Sequence, residues 1–227
     1  MEQKNYLETI YSKGNTPITD YPKKFIIYLI KRFEIKKKQK VLEIGCGRGE
    51  FLNEFVNNGL EGYGVDISNY CKEFFPNINF KKVDMSNEKL PYEDNSFDIV
   101  YSKSVIEHFY YPNIIFDEAY RVLKPGGMII TLTPEWQYIY KSFYEDFTHR
   151  TPFTSVSLRD IQEMSGFKEV KVESFKQLPI IFENYFFSEI FYFLSFLTRI
   201  LVAEKFRMKN KWIRFSKEIM LLSSAKK

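Results

Sequence analysis

Along this chain the spacing of apolar residues switches between period two and period 3.6, and each switch marks a predicted element. Five short runs are β-branched or aromatic and bounded by turn residues: "KVLEI" (40–44), "EGYGVDI" (61–67), "INFKKVDM" (78–85), "SFDIVYS" (96–102) and "GMIITLT" (127–133). They predict five strands. Helical patterns fill the gaps: "GEFLNEFVNN" ending before Gly59, "SNYCKEFF" stopped by Pro76, and "NIIFDEAYRVLK" stopped by Pro125-Gly126. Strands alternating with helices at this pitch predict βαβ units and a parallel sheet covered on both faces. Ahead of the first strand, residues 1–38 with "KFIIYLIKRF" at helical spacing read as a helical cover. After residue 134 the style changes: a helix in "TSVSLRDIQEMSGF", an alternating strand in "KEVKVESF", an aromatic helical segment from Ile180 to about Phe206, and a closing strand in "SKEIMLLSSAK".

No repeat, low-complexity linker or second boundary divides the 227 residues, so one domain is expected. With 44% hydrophobic and 27% charged residues the chain reads as globular. A net charge of +4 without clustering gives no nucleic-acid footprint. The pair Cys46 and Cys71 makes neither a disulfide framework nor a zinc site, which fits a reduced, cytoplasmic setting. The N-terminal residues lack the basic start and apolar core of a signal peptide. The most lipid-like stretch, residues 186–206, is interrupted by Glu189 and Arg199 and falls far short of the ~20 apolar residues that a membrane span needs.

The candidate chemistry starts at "VLEIGCGRGE" (41–50), where Gly45, Gly47 and Gly49 follow a strand and open a helix. Glycine lets the chain turn sharply there and approach a ligand with no Cβ in the way. The G-x-G-x-x-G dinucleotide spacing is broken by Arg48-Gly49-Glu50, and Glu43 inside the strand suits a cationic ligand better than a pyrophosphate. Asp66 ends the second strand, where a carboxylate can take both hydroxyls of a ribose. Asp84 and Met85 end the third, as a polar edge reader beside an apolar face. Each also has a plainer reading, the aspartates as helix caps and Met85 as core. All three strands nevertheless end at one sheet edge, where open α/β folds bind ligands.

These segments, with "LPYEDNSFDIVYSKSVIEHF" and "EAYRVLKPGGMIITLTP", resemble the class I S-adenosylmethionine-dependent methyltransferases of the broad small-molecule (type 11) branch. The resemblance is close over residues 40–134, with "FDIV" and "RVLKPGG" its most characteristic parts. It implies a Rossmann-like, doubly wound α/β sheet of seven strands, the last inserted beside the sixth. It divides the chain into the cover, a cofactor-binding core (39–134) and a substrate cap (135–227). S-adenosylmethionine is the implied cofactor, with S-adenosylhomocysteine as product. By the same resemblance Glu43 lies near the methionine amino group, and the backbone of Gly45, Cys46 and Gly47 packs against the amino acid and ribose. Asp66 holds the ribose hydroxyls, Ile67 lies against the adenine, Asp84 and Met85 contact its amino group and face, and Ser102, with Lys103 beside it, lines the floor near the sulfonium.

Methyl transfer from a sulfonium is an in-line displacement with a good leaving group, so the protein's main task is alignment. An alcohol acceptor also benefits from a base, and histidine titrates in the useful range. Both histidines of the chain fall where that chemistry belongs: His108 in "VIEHF" and His149 in "YEDFTHRTPF". In relatives a segment like "D-x-T-H-x-x-P-F" covers the acceptor pocket, which makes His149 the candidate base, with substrate orientation as its alternative. His108 is the second candidate, with capping or orienting the helix near the cofactor as the plainer role. Some ubiquinone-pathway relatives hold a divalent metal on Glu-x-x-Glu-His; here Ser104 replaces the first carboxylate, so no metal is expected.

The loop "TPEWQYIYKSFYEDFTHR" carries aromatics able to stack on a sugar or base, with Lys141 and Arg150 to attract an anion. The plainer reading of those aromatics is a helix packing onto the sheet. By the general similarity of the His149 segment and the tail to methyltransferases of that kind, the leading expectation is O-methylation of a small polar acceptor, such as a sugar or a nucleotide-linked, phosphorylated precursor of surface polysaccharide. A quinone- or lipid-directed methyltransferase and a catalytically silent cofactor-binding subunit are the alternatives. The aromatic segment 180–206 is expected to meet a second copy of the chain, with covering the pocket or resting on a membrane surface as the alternatives. An NAD-dependent dehydrogenase is disfavoured by the glycine spacing, and a base-amino methyltransferase by "YSKSVI" after the fourth strand.

Overall fold

A computed structural model describes residues 19–183, 185–203, 206 and 210–227. Positions 1–18 of the expected cover, and parts of the expected aromatic segment at 184 and 204–205, lie outside the described residues. Seven described strands form one sheet in the order β3-β2-β1-β4-β5-β7-β6. They are β1 (Lys40–Ile44), β2 (Glu61–Asp66), β3 (Asn79–Lys82), β4 (Phe97–Lys103), β5 (Leu123–Pro134), β6 (Lys168–Lys176) and β7 (Ile219–Lys226). The first five run parallel, and β7 lies antiparallel to both β5 and β6. This is the expected α/β, doubly wound, Rossmann-like arrangement with the last strand inserted beside the sixth.

The central strands β1, β4 and the second half of β5 are buried on both sides, so alternate residues feed two separate cores. On one side Leu42, Ile44, Val100 and Ile129 pack with Phe116 of α4 (Asn113–Val122) and Leu158 of α6 (Ser155–Met164). On the other, Val41, Ile99, Tyr101 and Ile130 pack with Phe25 and Leu29 of α1 (Tyr21–Arg32) and Phe55 of α2 (Glu50–Asn57). Full burial of each such side chain contributes about 1.5–3 kcal/mol. The helix α1 extends the N-terminal pattern back to Tyr21, with Pro22, whose fixed φ suits a first turn, as its second residue. Its aromatic face packs Phe25 and Tyr28 at tilted and edge-on angles against Phe175 of β6 and Phe182 of α7 (Pro179–Glu183), with Tyr28 and Phe182 centroids 5.1 Å apart.

Three boundaries differ from the sequence pattern, each for a local reason. The predicted helix 68–75 shrinks to one turn, α3 (Cys71–Phe74), because Asp66 accepts the Ser68 N–H at 2.9 Å and bends the chain first. The third strand stops at Lys82, on the sheet edge, leaving Asp84 and Met85 in the turn beyond it. The helix before "KPGG" ends at Val122, since Leu123 turns extended (ψ 140°) and pairs with Phe97, so Pro125 and both glycines lie inside β5.

Beyond β5 come α5 (Trp136–Ile139), α6 with a reciprocal Thr154–Ser157 cap, and, after α7, the long aromatic helix α8 (Tyr185–Leu201) and α9 (Lys211–Lys217). The insertion lies over the loop after β5: the Arg199 guanidinium sits 4.6 Å from the Tyr138 ring centroid, and Lys176 Nζ lies 3.3 Å from that of Tyr192. Among the described residues no helix is long and apolar enough to cross a membrane.

One side chain organises the "LPYEDNSFD" connection. Arg121 on α4 takes Glu118 in a two-pronged pair (2.8 Å each) and donates to the Leu90 and Tyr92 carbonyls and to Asp94. Glu118 in turn accepts the Leu90 N–H at 2.8 Å, and the Arg121 pairing lowers its pKa. Arg121→Ala leaves the buried Glu118 without its cation and frees the loop. We expect a loss of about 2 kcal/mol in urea unfolding, with the same signal amplitude for the native state.

Candidate active site

The carboxyl ends of β1, β2 and β4 are in register: Glu43 lies beside Gly64 and Tyr101, and Ile44 beside Val65 and Ser102. The glycine loop leaves β1 there and is drawn over β2 by main-chain bonds. The N–H groups of Gly45 and Cys46 both donate to the Val65 carbonyl, at 2.8 and 3.1 Å. The Gly47 N–H donates to Asp66 Oδ2 at 2.8 Å. All three glycines have positive φ (72°, 52° and 82°), as does the chain at Ser104 (55°). A Cβ on Gly45 would run into Val105, and one on Gly49 would press on Cys71 and Phe75 at 3.3 Å, whereas one on Gly47 meets nothing within 4 Å. Two of the glycines therefore serve packing, and Gly47 faces open space.

The carboxylates around this opening are arranged unequally. Glu43 is 2% exposed, and its Oε2 has no hydrogen-bond partner among the described residues. Burial first, and the Asp66 charge second, push its pKa well up. A cation beside it would reverse both effects. Asp66 is raised by burial, against the pull of the Ser68 and Gly47 N–H bonds. Ile67 stands 60% exposed next to it. Asp84 caps its own turn through the Ser86 N–H and Asn87 Nδ2, at 3.0 and 2.8 Å, while Met85 is buried in the core with Val65 and Val83. The Ser102 hydroxyl is buried without a partner among the described residues. The Cys46 thiol is also buried, and its hydrogen bond with Cys71, with burial adding to it, raises its pKa and makes it unreactive. Lys103 Nζ lies 5.4 Å from the Phe51 ring centroid, its pKa lowered by burial.

Beyond Ser102 the two histidines meet. His108 belongs to a single 3-10 turn, Ile106–His108, directly after β4. His149 arrives from the loop after β5, and the ring centroids are 4.9 Å apart. The loop is stitched to the turn by its backbone: the Arg150 and Thr151 N–H groups donate to the Glu107 carbonyl at 2.7 and 3.0 Å, and Thr151 Oγ1 to the Phe109 carbonyl at 2.7 Å. His149 Nδ1 lies 2.6 Å from the Phe143 carbonyl, which only accepts, so the proton is on Nδ1 and Nε2 carries the lone pair. Its Nε2 lies 4.0 Å from Asp146 Oδ2. His108 Nδ1 is 2.8 Å from Thr148 Oγ1, whose own hydrogen goes to Asp146 Oδ1 at 2.6 Å. Burial, then the neighbouring His149, lowers the His108 pKa. Glu107 lies beneath, 1% exposed, with Oε2 accepting from Thr133 Oγ1 at 3.0 Å and burial pushing its pKa up to about 7.

Of the loop aromatics, Phe143 packs inward on His149 and Trp136, while Tyr140, Tyr144 and Phe147 face outward. The structure thus brings Glu43, the glycine loop, Asp66, Ile67 and Ser102 to one edge and both histidines next to it. The sequence reading passed over Glu107 as a facing carboxylate and missed the Asp146–Thr148–His108 chain. The "D-x-T-H" spacing was the available signal, because Asp two residues before Thr is an Asx-turn pattern.

Comparison with known proteins agrees with this geometry. A sequence model described as a methyltransferase domain matches residues 42–131. An uncharacterised protein of Methanocaldococcus jannaschii is 34% identical over 160 residues, 70% of this chain and 68% of that one. Phosphoethanolamine N-methyltransferase 3 of Arabidopsis thaliana is 29% identical over 73% of this chain, but the match spans only 36% of that enzyme. The crystal structure of a SAM-dependent methyltransferase from Archaeoglobus fulgidus superposes with a TM-score of 0.68 at 25% identity, covering 98% of this chain and all of that one. The chain belongs to the class I S-adenosylmethionine-dependent methyltransferases, and S-adenosylmethionine is its cofactor.

The glycine geometry separates packing from binding. Gly47→Ala should cost only about 1–2 kcal/mol of stability, the penalty of a left-handed alanine, yet weaken S-adenosylhomocysteine at least tenfold in calorimetry. Gly45→Ala should show the reverse order, with the larger loss appearing in thermal unfolding.

Proposed function

We propose that the protein methylates an oxygen of a small polar acceptor, such as a sugar or a nucleotide-linked, phosphorylated precursor of surface polysaccharide. In this reading Glu43 faces the methionine amino group. The backbone of Gly45, Cys46 and Gly47 lines the amino acid and ribose, with Gly47 on the open side. Asp66 takes the ribose hydroxyls, Ile67 and the buried Met85 flank the adenine, Asp84 reads its amino group, and Ser102 forms the floor near the sulfonium. The unpartnered Glu43 oxygen supports this assignment, since an ammonium group would satisfy it.

The observation that carries the O-methylation reading is the fixed tautomer of His149. With Nδ1–H held by the Phe143 carbonyl, Nε2 keeps the lone pair that a base needs. The acceptor oxygen attacks the methyl carbon, the C–O bond forms as the C–S bond breaks, and the hydroxyl proton passes to Nε2. Sulfur leaves as the neutral thioether of S-adenosylhomocysteine. Asp146 then lies close enough to steady the imidazolium. Lys141 and Arg150 offer attraction for an anionic acceptor.

One observation favours a second reading, a lipid or quinone acceptor. Ile190, Phe193, Leu194, Ile200 and Leu201 of α8 are exposed, a face suited to a bilayer or to a second copy of the chain. Sedimentation with anionic vesicles separates the two readings, because a polysaccharide-precursor enzyme should stay in the supernatant.

The base assignment has its own outcome. His149→Ala should lower kcat by about 10²–10⁴-fold and leave S-adenosylhomocysteine affinity within threefold. Turnover would be followed by mass spectrometry of an acceptor panel that includes nucleotide sugars. An unchanged kcat would assign His149 to structure or substrate orientation.

A further inference from the structure

The cluster at the acceptor end has a feature that base catalysis does not use. Glu107, His108 and His149 each present a ligand-type atom, and these atoms all lie within 4.8 Å of one another. We propose that they form a binding site for one divalent transition-metal ion. The expectation against a metal rested on Ser104 standing where a carboxylate would be; the fold supplies a third ligand from elsewhere, because the loop after β5 carries His149 back over the Glu107–His108 turn.

The protonation pattern is set for ligation. Phe143 fixes the proton of His149 on Nδ1. Thr148 has one hydroxyl hydrogen, and the Asp146 carboxylate takes it at 2.6 Å, so Thr148 Oγ1 accepts from His108 Nδ1–H. Both imidazoles therefore carry their lone pair on Nε2. An outer carbonyl or carboxylate chain that holds Nδ1–H is the usual support for a metal-binding imidazole. The carboxylate is oriented in the same way: Thr133 holds Glu107 Oε2, while Oε1 is buried with no hydrogen-bond partner among the described residues. A buried, unpaired carboxylate oxygen is costly, and a cation would satisfy it. Two nitrogens and one oxygen suit zinc, manganese, iron(II) or cobalt(II), whereas magnesium and calcium prefer all-oxygen sets. Three protein ligands leave a position open.

That open position lies beside the proposed acceptor pocket. A metal there would hold and acidify the acceptor hydroxyl, whose proton leaves to water, and His149 would then be a ligand and not the base. This role rests on the O-methylation reading; binding of the ion does not.

The test uses full-length protein stripped with a chelator and then titrated with zinc, manganese and magnesium by calorimetry. Cobalt(II) absorption spectra of the same protein are recorded alongside. We expect one equivalent of zinc or manganese at micromolar affinity or tighter, no competition from magnesium, and cobalt bands characteristic of nitrogen and oxygen ligands. His149→Ala and Glu107→Gln should each weaken binding at least 100-fold while S-adenosylhomocysteine still binds. Absence of stoichiometric metal in wild-type protein that binds S-adenosylhomocysteine overturns the site. So does equal affinity in both variants, which would place any ion elsewhere. If the variants do not fold, the wild-type stoichiometry and cobalt spectrum decide alone. Loss of S-adenosylhomocysteine binding in wild type would instead count against the methyltransferase reading.

Discussion

The end of β2 is the anchor for everything the site does. The Val65 carbonyl receives two N–H groups of the glycine loop, and the Asp66 carboxylate receives a third from Gly47 and a fourth from Ser68. Those four bonds hold the loop after β1 in its left-handed turns and start the turn after β2. They also hold Asp66 beside the opening, so that one side chain both shapes the cradle and remains available at its rim. Because β1, β2 and β4 are adjacent and parallel, the same register brings Glu43 and Ser102 to the same edge.

A second set of backbone bonds extends that edge toward the acceptor. The Glu107 carbonyl accepts from Arg150 and Thr151, which clamps a loop from beyond β5 onto the turn after β4. The two histidines lie far apart in sequence order but become neighbours through this clamp. The side chain of Glu107 is held by Thr133 of β5. The cofactor end and the acceptor end are thus built in the same manner, each by main-chain donors converging on carbonyl or carboxylate oxygens at the end of a strand or in the turn after one. The aromatic insertion joins only at the rim, where Arg199 stacks on Tyr138.

Much of this was legible in the sequence, for physical reasons. Strands buried on both faces announce themselves as apolar runs, and the glycines at 45, 47 and 49 are needed by turns of positive φ. The doubly wound sheet of seven strands and the inserted last strand followed from the resemblance to class I methyltransferases. Less visible were the places where side chains overrule pattern. Residues 68–70 look helical, yet the Asp66 carboxylate turns them first. "RVLK" looks like the end of a helix, yet Leu123 already pairs in the sheet. The Asp146–Thr148–His108 chain and the buried Glu107 oxygen needed three-dimensional proximity across the loop after β5, which no local period encodes. Met85 shows the converse: its core reading and its cofactor reading are both compatible with burial beneath the turn that follows β3.

The most direct test of the central claim is calorimetric titration with S-adenosylhomocysteine of the wild-type protein and of Asp66→Ala. The account predicts micromolar binding to wild type, weakened at least about tenfold in the variant, as expected for loss of charge-assisted hydrogen bonds worth about 1.5–3 kcal/mol. No binding by wild-type protein shown to be folded would contradict it, as would equal affinity in the variant.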